Sequence, residues 1–322
     1  MSPEIINRLI YDDMRAVDAV VRESLHSDVA LIRQVAEHII GGGGKRLRPA
    51  LLVLSAICCG YRGTAHHRLA AVVEFIHTAT LLHDDVVDDS ELRRGRATAN
   101  ARFGNPASVL VGDFLYSRAF QMMVGVRNLR VLEVLSNATN VIAEGEVLQL
   151  LNVQNVDVSE AQYLHVIRSK TAKLFEAAGQ LGAILAEAPA PVEAALAGYG
   201  THMGTAFQLI DDILDYSGDL AQTGKNLGDD LAEGKVTLPL IYAMRSGSGE
   251  QAGLIRRAIT EGRRSDFEPV VAAIRDSGAL DYARRQAEAE AERASALLEA
   301  VPNSTHKDCL LELSAFAVRR NY

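Results

Sequence analysis

Two short acidic runs in this 322-residue sequence have the residue types and spacing to do chemistry. The first is His83-Asp84-Asp85-Val86-Val87-Asp88-Asp89, and the second is Asp211-Asp212-Ile213-Leu214-Asp215. On a helix, residues four apart share a face, so Asp84 points with Asp88 and Asp211 with Asp215. Like charges at that spacing repel unless something positive sits between them. Hard carboxylate oxygens suit magnesium, which keeps several waters and bridges to substrate phosphates. One such run would be weak evidence, since an exposed helix end is often acidic. Two of them, each closing an apolar helix, predict a shared metal cluster that grips a diphosphate.

Cationic clusters accompany the acidic runs. Gly41-Gly42-Gly43-Gly44-Lys45-Arg46-Leu47-Arg48-Pro49 sets three cations directly behind a glycine run. Glycines let a phosphate approach the backbone, Pro49 fits a first helical turn, and the positive helix end favours an anion. Arg93-Arg94-Gly95 follows the first acidic run, and arginine forks match phosphate oxygens in pairs. These arginines could instead neutralise Asp88, Asp89 and Glu91. Lys170 stands among small and apolar neighbours in Arg168-Ser169-Lys170-Thr171, which aims its ammonium at a polar cavity. Lys225 and Lys235 punctuate a glycine-containing loop. His77 precedes Asp84 by two helical turns; a lone histidine there is more often a hydrogen-bonded core residue than a ligand contact.

The elements that must position these groups read as helices. Leu69, Val72, Val73, Ile76 and Thr80 follow the helical period, with Phe75, Ala79 and Leu82 on the other side, so this helix is apolar nearly all round and belongs in the centre of a bundle. Helices are also predicted over 105–126, 131–151, 161–186, 192–216 and 238–244, and 282–300 reads as a solvent-facing helix. Breaks fall at 41–44, 94–95, 152–159, 189–191 and 217–234, none of them a long linker. The expectation is an all-α fold in one domain over residues 1–322.

Composition narrows the function classes. A net charge of −8 argues against general nucleic-acid binding, whose affinity comes from neutralised phosphates. Three cysteines, two of them adjacent, give neither a disulfide framework nor a metal-ligand spacing and fit a reduced, cytoplasmic protein. The N-terminal stretch carries Glu4, Asp12, Asp13 and Asp18 and lacks the pattern of a signal peptide. The longest apolar run, 49–60, is too short to span a bilayer, so no transmembrane segment is expected.

Taken in order and spacing, Gly-Lys-Arg-Leu-Arg-Pro at 44–49, Asp-Asp-Val-Val-Asp with Arg-Arg-Gly at 84–95, Lys-Thr at 170–171, Gln-Leu-Ile-Asp-Asp-Ile-Leu-Asp at 208–215 and Gly-Lys-Asn-Leu-Gly-Asp-Asp-Leu with Gly-Lys at 224–235 resemble the trans-isoprenyl diphosphate synthases. The resemblance runs from about residue 30 to 245. It implies an antiparallel helical bundle around a deep central cavity, usually a homodimer. It implies that Asp84, Asp88, Asp211 and Asp215 hold magnesium on an allylic prenyl diphosphate. Arg93, Lys170, Thr171, Gln208 and Lys225 would contact that same substrate, and Lys45, Arg48, His77 and Arg94 would bind isopentenyl diphosphate. Among these, Asp84, Asp88, Lys170, Gln208 and Asp211 are the expected catalytic residues.

In the resembling short-chain synthases a bulky aromatic just before the first acidic motif blocks the growing chain. Ala79 and Thr80 occupy those positions here and are small, so a long product of about eight isoprene units is expected, for quinone side chains, with release at a membrane surface. The helix through Asp113, Phe120 and Met123 is the candidate to close the tunnel, with Met123 as its floor. Shorter and longer products are the alternatives. A terpene cyclase would not need the second diphosphate site of Lys45–Arg48 with Arg94, and an inactive regulatory subunit would carry a damaged acidic motif, whereas both motifs are intact.

Overall fold

The computed structural model describes residues 8–217 and 227–320. In chain order the helices are α1 (Tyr11–Ser24), α2 (Ala30–Ile40), α3 (Leu47–Cys58), α4 (Ala65–Val87), α5 (Ala99–Phe103), α6 (Asn105–Val124), α7 (Leu129–Asn152) and α8 (Glu160–Ile167). A π-helical turn, Arg168–Ala172, leads into α9 (Lys173–Leu185). Then come α10 (Ala190–Ser217), α11 (Asp229–Ala232), α12 (Leu238–Ser246), α13 (Gly249–Glu261), α14 (Phe267–Asp276), α15 (Ala279–Leu297) and α16 (Thr305–Arg319). The all-α expectation holds: among the described residues the only strands are β1 (Leu92–Arg93) and β2 (Arg96–Ala97). Their two-residue turn takes both Arg94 (φ 53) and Gly95 (φ 71) into the left-handed region, as a tight hairpin requires.

The residues sort into two compact units. One comprises the chain up to Thr139 with Leu174–Gly200 and Leu297–Leu313; the other comprises Asn140–Lys173, Thr201–Ala296 and the chain from Ser314 onward. In the first unit α4 is the central element, packed by α6, α3 and α1. Its 23 residues bury Leu69, Val72, Val73, Phe75, Ile76, Ala79 and Leu82, which is why a helix with no polar face is stable there. In the second unit the C-terminal part of α10 buries Leu209, Ile210 and Ile213 in one apolar cluster with Leu238, Leu240, Ile255, Val270 and Ile274.

Two expectations need correction. The stretch predicted as one helix over 161–186 is interrupted by the π turn, whose wider coil moves Lys170 and Thr171 out of the regular ladder. Gly145 on α7 faces this turn so closely that a Cβ there would lie 2.8 Å from the Lys170 backbone nitrogen. Helix α15 is not simply solvent-facing. Ala279, Ala283, Ala287, Ala291 and Ala294 form a buried stripe, and Glu290 is buried with them.

Candidate active site

Helix α4 delivers Asp84 and Asp88 half-exposed at its last turn, one turn apart, while the Asp85 between them is fully buried. The Asp85 carboxylate takes Arg93 Nε at 2.8 Å and Nη2 at 2.7 Å, and its backbone carbonyl accepts from Asn100 Nδ2 at 3.0 Å. Arg93, expected on substrate, therefore clamps the neighbouring carboxylate, and its partner is none of the three acids weighed from sequence. A bidentate, buried pair of this kind fixes the helix end on which Asp84 and Asp88 stand.

The second unit repeats the arrangement. Asp211 and Asp215 are half-exposed at the end of α10, and Asp212 between them is 3% exposed. Asp212 accepts from the Tyr163 hydroxyl at 2.5 Å and from Gln208 Nε2 at 2.7 Å. Burial pushes its carboxyl up to about 8, the charges of Asp230 and Asp211 push the same way, and the two hydrogen bonds pull against them. Gln208 in turn accepts from the Thr171 hydroxyl at 2.9 Å, so a chain of bonds runs Thr171–Gln208–Asp212–Tyr163. Lys170 Nζ reaches Gln149 Oε1 at 2.7 Å and Glu146 Oε2 at 2.6 Å, both on α7. Its ammonium does enter a polar setting, as its apolar neighbours suggested. Lys235 pairs with Glu233 at 2.6 Å, and Lys225 lies outside the described residues.

Arg320 was not foreseen. Its guanidinium, 1% exposed, donates from Nη1 to Asp211 Oδ1 at 2.5 Å, from Nη2 to the Phe207 carbonyl, and lies 3.6 Å over the Phe207 ring. Nothing in a lone arginine 109 residues downstream signals this contact.

In the first unit the glycine run and the hairpin meet. Gly43 (φ 75) and Gly44 (φ 153) hold conformations that favour glycine, and a Cβ on Gly44 would lie 2.8 Å from Arg94 Nη1. Arg94 donates to the Gly43 carbonyl, and Arg96, also unforeseen, donates to the Gly41 carbonyl at 2.9 Å. A cleft lined by Gly42, Gly43, His77, Arg93, Arg94 and Arg96 results. Of the three cations behind the glycines, Arg46 turns away to Glu74 at 2.5 Å, Lys45 is exposed, and Arg48 lies 4.2 Å over the Phe175 ring. Burial holds the His77 imidazole well below its ordinary pKa, and the charges of Arg48, Arg94, Arg93 and Arg46 lower it further. His77 is thus a neutral ring in a strongly cationic cleft, a setting that favours a bound anion. Ala79 and Met123 are fully buried, and half-buried Thr80 donates its hydroxyl to the His77 carbonyl at 2.8 Å.

The residues fit divalent metal. Each motif offers an accessible i, i+4 pair of hard oxygen donors, and the carboxylate between them (Asp85, Asp212) is withdrawn into hydrogen bonds, so it does not add to the charge that a cation must offset.

Comparison with known proteins agrees with this chemistry. The polyprenyl synthetase family model matches residues 29–276. Octaprenyl diphosphate synthase of Escherichia coli (strain K12) is 56% identical over 322 residues, all of both chains. The all-trans-nonaprenyl-diphosphate synthase (geranyl-diphosphate specific) of Rhodobacter capsulatus is 49% identical, covering 97% of this chain and 96% of its own. A polyprenyl synthase from Caulobacter crescentus CB15, solved with calcium and isoprenyl diphosphate, superposes with a TM-score of 0.97 at 46% identity, over 100% of this chain and 98% of its own.

Proposed function

Because the chain belongs to the polyprenyl synthetase family, we propose that it is a long-chain trans-polyprenyl diphosphate synthase that adds isopentenyl diphosphate stepwise to an allylic diphosphate, farnesyl diphosphate serving as primer, to give octaprenyl diphosphate for quinone side chains. One observation carries this reading: the same device, an accessible carboxylate pair over a buried, clamped third carboxylate, is built at the end of α4 and again at the end of α10. The enzyme uses a divalent metal, and magnesium is the ion that Asp84 and Asp88, and Asp211 and Asp215, would hold. When bound, it offsets charge developing on the departing diphosphate.

The chain's own residues do the rest. Lys45, Arg48 and Arg94 bind the diphosphate of isopentenyl diphosphate, with Arg48 steadied by the Phe175 ring and neutral His77 able to donate a hydrogen bond without repelling the arginines. Arg93, Lys170, Thr171, Gln208 and Lys225 attend the allylic substrate, Arg93 chiefly by holding Asp85 and Gln208 by holding Asp212. Backbone carbonyls at Lys170 and Thr171, displaced by the π turn, and at Gln208 soften the allylic cation. The double bond of isopentenyl diphosphate attacks that cation, and the released diphosphate takes the proton, since the sequence offers no side-chain base for it. The product grows past Ala79 and Thr80 toward Met123.

The enzyme acts in the cytoplasm as a homodimer and releases product at a membrane surface. Exposed apolar side chains support the dimer: Leu110 and Val124 on α6, and Val147, Leu150 and Leu151 on α7, are each more than half exposed. Among the described residues no helix is long and apolar enough to cross a membrane. The test is incubation of purified protein with farnesyl and isopentenyl diphosphates and magnesium, followed by measurement of product length. Octaprenyl diphosphate is expected; failure to consume isopentenyl diphosphate would refute the reading.

A further inference from the structure

At the opposite end of α4 from the first acidic motif, three other donors converge. Asp13 on α1 accepts from two adjacent imidazoles in the first turn of α4: His67 Nε2 at 2.8 Å and His66 Nε2 at 3.2 Å from the same oxygen, Oδ1. The three ligand atoms lie within 4.8 Å of one another, and the two rings are 3.9 Å apart between centroids. His67 stands 17 residues before Asp84 on one helix, about 25 Å at a rise of 1.5 Å per residue, so this cluster is separate from the carboxylate pair.

The donor set differs in kind from the magnesium carboxylates. Two imidazoles and one carboxylate suit a borderline transition ion and match poorly the all-oxygen shell of magnesium. With metal–ligand distances of about 2.0–2.2 Å, donors around a tetrahedral ion lie about 3.3 Å apart, so the oxygen–nitrogen spacings of 3.2 and 2.8 Å need to open by no more than about half an ångström. Protonation is also compatible. Burial lowers the His66 pKa, with Asp13 pulling the other way, and Asp13 itself is held below the usual carboxylate range: burial raises it, but the hydrogen bonds from His67 and His66 outweigh that. An imidazole that gives up its Nε2 proton, or moves it to Nδ1, becomes a ligand through Nε2. An entry path exists: a solvent-open cleft of about 300 Å³, lined by Val20, Thr64, His67, Arg68 and Val126, reaches the cluster at His67.

We infer that Asp13, His66 and His67 form a second metal site of this enzyme, selective for a zinc-like transition dication, which ties α1 to the start of α4. The bland alternative is a carboxylate that merely bridges two histidines by hydrogen bonds. Cobalt(II) separates the two. Untagged full-length protein, in excess magnesium to occupy the acidic motifs, is titrated with cobalt(II) and followed by the visible absorption of a low-coordinate cobalt centre. One equivalent per chain is expected to bind, and to raise the thermal midpoint with little change in prenyl transfer. His67→Ala should weaken cobalt about 100-fold, and Asp84→Ala should leave it unchanged. Asp13→Asn keeps an oxygen that accepts from both rings but loses the charge, so it preserves the bridge and still weakens cobalt about tenfold or more. Absence of saturable absorption in the wild type, or undiminished binding in folded His67→Ala and Asp13→Asn proteins, overturns the site.

Discussion

Replacing Ala79 by tyrosine tests the path of the growing chain. Ala79 is fully buried on α4, five residues before Asp84, and beside it Thr80 turns its hydroxyl back to the His77 carbonyl. A phenol ring forced into close-packed core costs about 1–3 kcal/mol, which in a chain of this size lowers the thermal midpoint by several degrees. A ring that enters the space reserved for hydrocarbon costs little and blocks elongation instead. The account predicts the second result: a nearly unchanged midpoint and a product of about three or four isoprene units, the block standing about 7.5 Å along the helix from Asp84 at 1.5 Å per residue. The spacing gives a further check. Ile76 lies three residues nearer the N-terminus, about 4.5 Å along the axis, and four carbon–carbon bonds of an isoprene unit advance about 5 Å. Ile76→Phe should therefore stop the chain about one unit later than Ala79→Tyr. Chromatography of products made from farnesyl and isopentenyl diphosphates reads both lengths. Wild-type length from a stably folded Ala79→Tyr enzyme, or identical products from the two variants, refutes the geometry.

Three further outcomes follow from particular contacts. Arg320→Ala removes charge-assisted bonds to Asp211 and the Phe207 carbonyl, so it should cost about 2 kcal/mol in denaturant unfolding and raise the magnesium concentration needed for half-maximal turnover, with Arg320→Lys restoring only part. Gly44→Ala places a methyl 2.8 Å from Arg94 Nη1 and should raise KM for isopentenyl diphosphate about tenfold while kcat changes little; equal effects on both would detach Gly44 from that substrate. Burial works to raise the Glu290 pKa, but His202 at 2.5 Å, Arg168 and Arg293 bring it below its ordinary 4.5. Its folded-state pKa is thus depressed, so its stabilisation is complete above about pH 4.5 and is lost as pH falls through the lower folded value. Thermal midpoints measured across that acid range should fall less steeply for Glu290→Gln than for the wild type.

Much of the site is written in local patterns. The i, i+4 acids, the glycine run ahead of Lys45 and the all-round apolar α4 are short-range features, and helical geometry alone turns them into a placed group. What stayed hidden depends on tertiary contact. Sequence singled out Asp84 with Asp88 but gave Asp85 no job, because that job depends on Arg93 reaching its carboxylate. Tyr163 and Arg320 complete the second motif from 49 and 109 residues away, with no motif of their own. The π turn at Lys170 contains no glycine or proline to signal it, and packing against Gly145 accompanies it. Helix α15 misled for a related reason. Alanine, glutamate and arginine read as a solvated helix, yet alanine stripes also suit tight packing, and Glu290 is buried because Arg168, Arg293 and His202 meet it there.

The central claim is that the accessible carboxylates carry out catalysis while their buried neighbours carry structure. The most direct measurement is incorporation of labelled isopentenyl diphosphate by Asp84→Ala at saturating substrates and magnesium, beside its thermal midpoint. The account predicts turnover reduced about a thousandfold, roughly 4 kcal/mol of lost transition-state stabilisation, in a protein that melts within a few degrees of wild type. Near-normal turnover in that variant would contradict it.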